Sequence, residues 1–238
     1  MEGGADDKGG REEWDLGCAR GGRVDERGGG GPAKFAPNAR FIAQFDIDPA
    51  EIGKVKSVHW HHVGSLDVSL RRLTAYGRQH GFGPDYAPWH AHVAALKASH
   101  PMNFCRESEH IQPCAVIEAI NRITDGRAII STGVGQHQMW AAQYFDFREP
   151  RRWLTSGSMG TMGFGLPAAI GAQFARRDLT VIDIDGDASI RMNIGEMETV
   201  TTYGLPVKVV VLNNSGDGMV RQWQKLFFKG RFSATDKS

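Results

Sequence analysis

The chain has 238 residues, 41% of them hydrophobic and 23% charged, with a formal net charge of +1. That length holds one large domain or one and a half average ones, and the composition is that of an ordinary globular protein. Near-neutrality supplies no basic field for nucleic acid, and no run approaches the roughly 18 apolar residues that cross a membrane, so neither nucleic acid nor membrane is an expected partner.

Residues 1–32 are loaded with Gly, Asp, Glu and Arg and end in Gly28-Gly29-Gly30-Gly31-Pro32. Such a segment buries little and is expected to be poorly ordered on its own. Its first residues lack the basic-then-apolar order of a secretory signal. The three cysteines, Cys18, Cys105 and Cys114, are too scattered for a disulfide framework, so the cytoplasm is the expected compartment. Residues 40–48 read as an apolar strand ending in an acidic turn, followed by a short helical turn at 49–53. Leu66, Leu70 and Leu73 recur at three- and four-residue spacing, which predicts an amphipathic helix over 66–76. Residues 33–80 make one unit on this reading, and 81–112, with Pro84, Pro88 and Pro101, a linker holding one helix near 89–98.

From residue 113 helix and strand alternate regularly. Pro113 opens a helix through 123; 127–131 reads as a strand, 136–144 as a helix, and 166–175 as a small-residue helix suited to close packing, begun by Pro167. The Val- and Ile-rich runs 179–184 and 207–212 each end in a polar turn, the pattern of buried parallel strands. The expected fold class for 113–238 is therefore α/β, a doubly wound parallel sheet. Residues 233–238 show neither helix-stop nor tail character.

Both polar turns fall at one carboxyl edge of that sheet, where open α/β sheets bind ligands. Asp187 offers an anionic oxygen, Asn214 an amide oxygen and Gly216 an unobstructed carbonyl, a set suited to a small octahedral cation holding a diphosphate. Asp187 or Ser189 could equally cap a helix N-terminus. Gly133-Val134-Gly135-Gln136-His137-Gln138 follows a strand and opens a helix, so its N–H groups form a second candidate phosphate contact. Four glycines within residues 157–167 leave backbone free to wrap a flat ring, with Met159 and Met162 as soft apolar contacts. Trp223 reads either as core or as a wall of the same site. The run His59-Trp60-His61-His62 lacks a third metal ligand nearby and reads as an exposed strand end. Cys105, His110 and Cys114 lack paired zinc spacing.

Gly186-Asp187-Ala188-Ser189 with Asn213-Asn214 downstream resembles the thiamine-diphosphate motif. With the runs 133–145, 161–173 and 219–227, the chain resembles the catalytic subunit of the acetolactate synthase family over residues 16–238. Residues 35–39 and 46–53 are similar to the end of that family's central, FAD-binding domain, so 33–80 would be the tail of a Rossmann-like domain and 113–238 a truncated pyrophosphate-binding domain. The resemblance implies thiamine diphosphate and Mg2+ as cofactors, with FAD in the complete enzyme. Residues 21–27 fit the family's flavin segment only loosely. Asp187, Asn214 and Gly216 would hold the metal. Gln136, His137, Ala188, Ser189, Asp217, Gly218 and Met219 would surround the diphosphate, Gly160 and Met162 the aminopyrimidine, and Trp223 the substrate. It further implies joining of pyruvate to a second 2-oxo acid, a homo-oligomer (dimer or tetramer) and a regulatory small subunit. The activating glutamate would lie in a domain absent from these residues, leaving no catalytic residue here. Glyoxylate carboligase, pyruvate oxidase or a non-catalytic cofactor-binding module are the alternatives.

Overall fold

The computed structural model describes residues 16–20, 36–157 and 159–237 and divides into two units, residues 1–102 and 103–238. In the first unit, strands β1 (Leu16–Arg20), β2 (Phe41–Asp46) and β3 (Trp60–Val63) form a parallel sheet in that order. Ile42, Ala43 and Phe45 of the central strand are buried, as expected of a strand flanked on both sides. Gln44 is buried beside them because its amide closes the following 3-10 turn (Pro49–Glu51): Nε2 donates to the Glu51 carbonyl and Oε1 accepts from Gly53 N–H, both at 2.9 Å. Helices α1 (Leu66–Gln79) and α2 (Ala87–Ser99) complete the unit.

β1 lies inside the segment expected to be poorly ordered. Parallel pairing with β2 from Leu16↔Phe41 to Arg20↔Phe45 gives its backbone the partners that composition alone did not reveal. The loosely matching flavin segment, residues 21–27, lies outside the described residues. His59 has a local structural role: its Nδ1 accepts the Ile42 N–H at 3.0 Å and its ring stacks on Phe41, while residues 60–63 are exposed.

The second unit is built on β4 (Ile129–Thr132), β5 (Trp153–Thr155), β6 (Val181–Gly186) and β7 (Lys208–Leu212), all parallel, in the order β5-β4-β6-β7. Successive strand residues point to opposite faces, and both faces are covered. Ile130, Ile182 and Ile184 pack against Ile117 of α3 (Pro113–Thr124) and against Ala141 and Phe145, on and just beyond α4 (Gln136–Tyr144). Ile129 and Val181 meet Ala169 of α5 (Gly165–Ala175) on the other face. The sheet is thus doubly wound, as the alternation predicts. β5 is the element the sequence does not announce, since three residues are too few to show a period. Pro167 is the third residue of α5 rather than its first, still within the turn whose N–H groups need no helical partner.

Small residues let α5 approach the sheet. A Cβ on Gly165 would stand 2.3 Å from Asp183 Oδ1 and 2.5 Å from the Gly133 amide nitrogen. The Gly165 carbonyl instead accepts a hydrogen bond from buried Ser131 Oγ at 2.7 Å. Among the described residues no helix is long and apolar enough to cross a membrane.

Candidate functional site

The chain leaves β4 for β5 on one side and reaches β6 on the other, so β4 and β6 flank a topological switch point. A crevice at the carboxyl ends of such strands is the expected ligand site. β4 runs into Gly133 and α4, β6 into the short helix α6 (Asp187–Ile190), which α7 (Met197–Thr202) follows before β7, and β7 into residues 213–217 and then α8 (Gly218–Phe227). These ends enclose a cleft of about 240 Å³. Gln136, His137, Gly160, Met162, Asp187, Ala188, Ser189, Asn214, Gly216, Asp217, Gly218 and Met219 all line it. A larger hollow of about 430 Å³ sits at the amino ends of the strands, among Asp125, Arg127, Arg148, Glu149 and Arg152. Its acids are paired with its arginines, Glu149 with Arg152 and Asp125 with Arg127 and Arg148, although Arg152 Nη1 has no hydrogen-bond partner.

Asp187 is buried, and its two oxygens differ. Oδ1 accepts the Asn214 backbone N–H at 3.3 Å, while Oδ2 has no hydrogen-bond partner. A buried carboxylate oxygen without a partner is costly unless something else satisfies it, and a cation would. The capping reading is corrected here: Gly186 is the N-cap of α6 and Asp187 its first residue, with no side-chain cap bond. Asn214 Nδ2 faces Gln136 Oε1 at 3.5 Å, which leaves the amide oxygen of Asn214 free. Gln136 Nε2 in turn donates to Gln222 Oε1 at 3.0 Å, tying α4 to α8. The Gly216 carbonyl accepts Gly218 N–H at 2.9 Å and retains a second lone pair.

Ser189 fastens the three turns together. Its buried Oγ accepts the Gly163 N–H at 3.0 Å and lies 3.4 Å from the Val134 amide nitrogen, so the hydroxyl proton is left to donate. Gly160 and Gly163 have φ of +67° and +78°, the left-handed region open to glycine, and they turn the loop over the cleft. Met162 is half-buried on the cleft wall. Met159, expected to share that role, is 73% exposed and does not line it. Trp223 stands on α8, 58% exposed against Phe227, which removes the core reading, and it is not among the residues that line the cleft.

Two features of the site carry no sequence signal. Residues 233–237 dock on the loop after β7: Asp217 N–H donates to the Thr235 carbonyl, Lys237 N–H to the Ser215 carbonyl, and Lys237 Nζ lies 3.1 Å from Asp217 Oδ2. Behind the cleft, β6 carries the fully buried Asp183 and Asp185. Burial, with the Asp185 charge added, pushes the Asp183 carboxyl up to about 8.

Residues 133–238 match the family of the thiamine pyrophosphate enzyme, C-terminal TPP binding domain. The chain is 45% identical over 223 residues to acetolactate synthase 1, chloroplastic, of Nicotiana tabacum, covering 93% of this chain and 33% of that protein. It is 45% identical over 226 residues to acetolactate synthase, chloroplastic, of Arabidopsis thaliana, covering 94% and 34%. With the acetolactate synthase large subunit of Parasynechococcus marenigrum (strain WH8102) it shares 46% identity over 224 residues, covering 94% and 36%. The chain thus spans about a third of the length of the curated relatives it matches. Residues 133–238 thus resemble the C-terminal TPP binding domain of thiamine pyrophosphate enzymes, and the chain is similar to about a third of the length of acetolactate synthases.

Proposed function

We propose that this chain supplies the diphosphate-binding half of an acetolactate-forming enzyme, one that joins pyruvate to a second 2-oxo acid to give 2-acetolactate or 2-aceto-2-hydroxybutyrate. The observation that carries this reading is the partnerless, buried Asp187 Oδ2 facing the carboxyl-edge cleft at the switch point of the sheet. Asp187, Asn214 and Gly216 would hold Mg2+, whose small size suits two or three protein oxygens plus phosphate oxygens. The N-terminus of α4, with Gln136 and His137, and the Ser189 hydroxyl would face the diphosphate, since helix N-termini favour anions. Gly160 and Met162 would meet the aminopyrimidine. Thiamine diphosphate, when bound, supplies the electron sink that decarboxylation and carbon–carbon bond formation require. The protein's share is orientation and exclusion of water. FAD, a homo-oligomeric assembly and a regulatory small subunit belong to the complete enzyme on this reading. The two described cysteines, Cys105 and Cys114, are unpaired, which suits a reducing compartment such as the cytoplasm.

Calorimetric titration of thiamine diphosphate with magnesium into the chain tests the reading. Asp187→Ala removes the set's anionic ligand and is expected to weaken binding at least tenfold, about 1.4 kcal/mol. Asp187→Asn, which keeps the contact to the Asn214 N–H, controls for loss of the turn and should weaken it too. Equal affinities in all three proteins would refute the metal assignment.

Trp223 gives a second prediction. In a full-length enzyme carrying this segment, Trp223→Leu is expected to lower the preference for 2-ketobutyrate over pyruvate as acceptor, by about 1–3 kcal/mol, as for an apolar wall sensing one methylene. A two-substrate competition with an unchanged product ratio would exclude Trp223 from the acceptor site.

A further inference from the structure

Behind the cleft, three glycines make room for a buried histidine–carboxylate pair. A Cβ on Gly133 would stand 1.9 Å from Asp185 Oδ1, and Cβ atoms on Gly135 and Gly186 would each stand 2.8 Å from the His137 ring. Both side chains are almost wholly enclosed, with exposures of 7% for His137 and 0% for Asp185. His137 Nε2 lies 3.3 Å from Asp185 Oδ1, which also accepts the Gly186 N–H at 2.8 Å. His137 Nε2 and Asp185 Oδ2 have no hydrogen-bond partner. Each is therefore the available partner of the other. The opposite ring edge, with Nδ1, packs against Gly135 and Gly186, and both glycines line the cleft.

We propose that Asp185 is a positioning residue: its carboxylate accepts the Nε2–H of His137 and fixes the imidazole against Gly135 and Gly186, whose backbone shapes the diphosphate end of the cleft. The inference rests on the functional reading above for what occupies the cleft, and on the His137–Asp185 geometry for everything else. A carboxylate behind a histidine fixes both the tautomer and the ring orientation, and removing such a partner weakens ligand binding through the histidine by about 10–100-fold where it has been measured at metal sites. Asp185 does this without touching the ligand, because it is sealed beneath Gly133 and Gly186.

Long-range proton–nitrogen NMR correlation of the histidine rings in the 15N-labelled chain tests the arrangement directly. The expected His137 pattern has Nε2 protonated; an Nδ1–H tautomer with bare Nε2 overturns the proposal. Calorimetry with thiamine diphosphate and magnesium supplies the second arm. Asp185→Ala and Asp185→Asn are expected to weaken binding about tenfold or more in the wild-type background. In a His137→Ala background the same changes should cost clearly less, leaving only the share that comes from the lost Gly186 N–H contact. An undiminished cost in that background would assign Asp185 a merely structural role and sink the inference, while leaving the functional reading intact. If the wild-type chain binds no thiamine diphosphate, the functional reading fails, and the tautomer measurement still decides for or against Asp185.

Discussion

Purified alone, the 238-residue chain is expected to make no measurable acetolactate from pyruvate, magnesium and thiamine diphosphate. Proton transfer by a positioned carboxyl is typically worth about 10²–10⁴-fold in rate. The carboxylates lining the cleft are Asp187 and Asp217. Asp187 is engaged beside Asn214 at the proposed metal position, and Asp217 is paired with Lys237. On the proposed assignment neither is left to serve an aminopyrimidine at Gly160 and Met162. The family resemblance assigns that task to a glutamate of a pyrimidine-binding domain, in the part of the relatives' length that this chain does not span. Tested without further covering residues, the cleft is open to water, which weakens every electrostatic contact inside it. Val220, Trp223, Leu226 and Phe227 on α8 are exposed, and apolar surface of that kind promotes association. Acetoin detected after acid decarboxylation, above a no-protein blank, would show that the catalytic machinery lies within these residues.

The fold of the second unit was legible because its strands are buried on both faces. The short Val- and Ile-rich runs 179–184 and 207–212 mark the strands that form at 181–186 and 208–212, and the turns after them are polar where the sheet ends. The helix at 136–144 was readable to the residue from the Gly-rich turn before it. Cleft residues were legible for the same reason, since turns at one sheet edge must converge. What stayed hidden depends on long-range geometry. β1 becomes a strand only by pairing with β2, and β5 is too short to carry a period. Met159 and Met162 are three apart in one loop, and only the path fixed by Gly160 and Gly163 turns Met162 inward and Met159 out. Asp183 and Asp185 read in the sequence as polar interruptions of an apolar strand. Their alternation places both on one face, where Gly133 and Gly165 leave space for their carboxyls.

That placement has a thermodynamic consequence at Asp183. Its carboxyl is wholly enclosed, neither oxygen has a hydrogen-bond partner, and Asp185 stands two residues along the same face. Desolvation first, and the neighbouring charge second, push its folded-state pKa up to about 8 from 3.8. Below pH 4 the group is protonated in both folded and unfolded chains and has no effect on the balance. Between pH 4 and 8 the unfolded chain releases the proton while the folded chain keeps it, so folding takes up a proton and stability falls as pH rises. The slope from one fully shifted group is about 1.4 kcal/mol per pH unit, and it levels off once the folded form also ionises near pH 8. Asp183→Asn keeps the shape and cannot ionise. Its unfolding free energy in urea should therefore decline less steeply from pH 5 to pH 8 than that of the wild-type chain, with the advantage of the variant growing toward pH 8. The amide must still bury two N–H groups without acceptors, so at pH 5 the variant is expected to be the less stable of the two. The two stability curves should cross. Parallel curves across that range would mean that Asp183 is ionised in the folded protein and finds compensation that the enclosed site does not display.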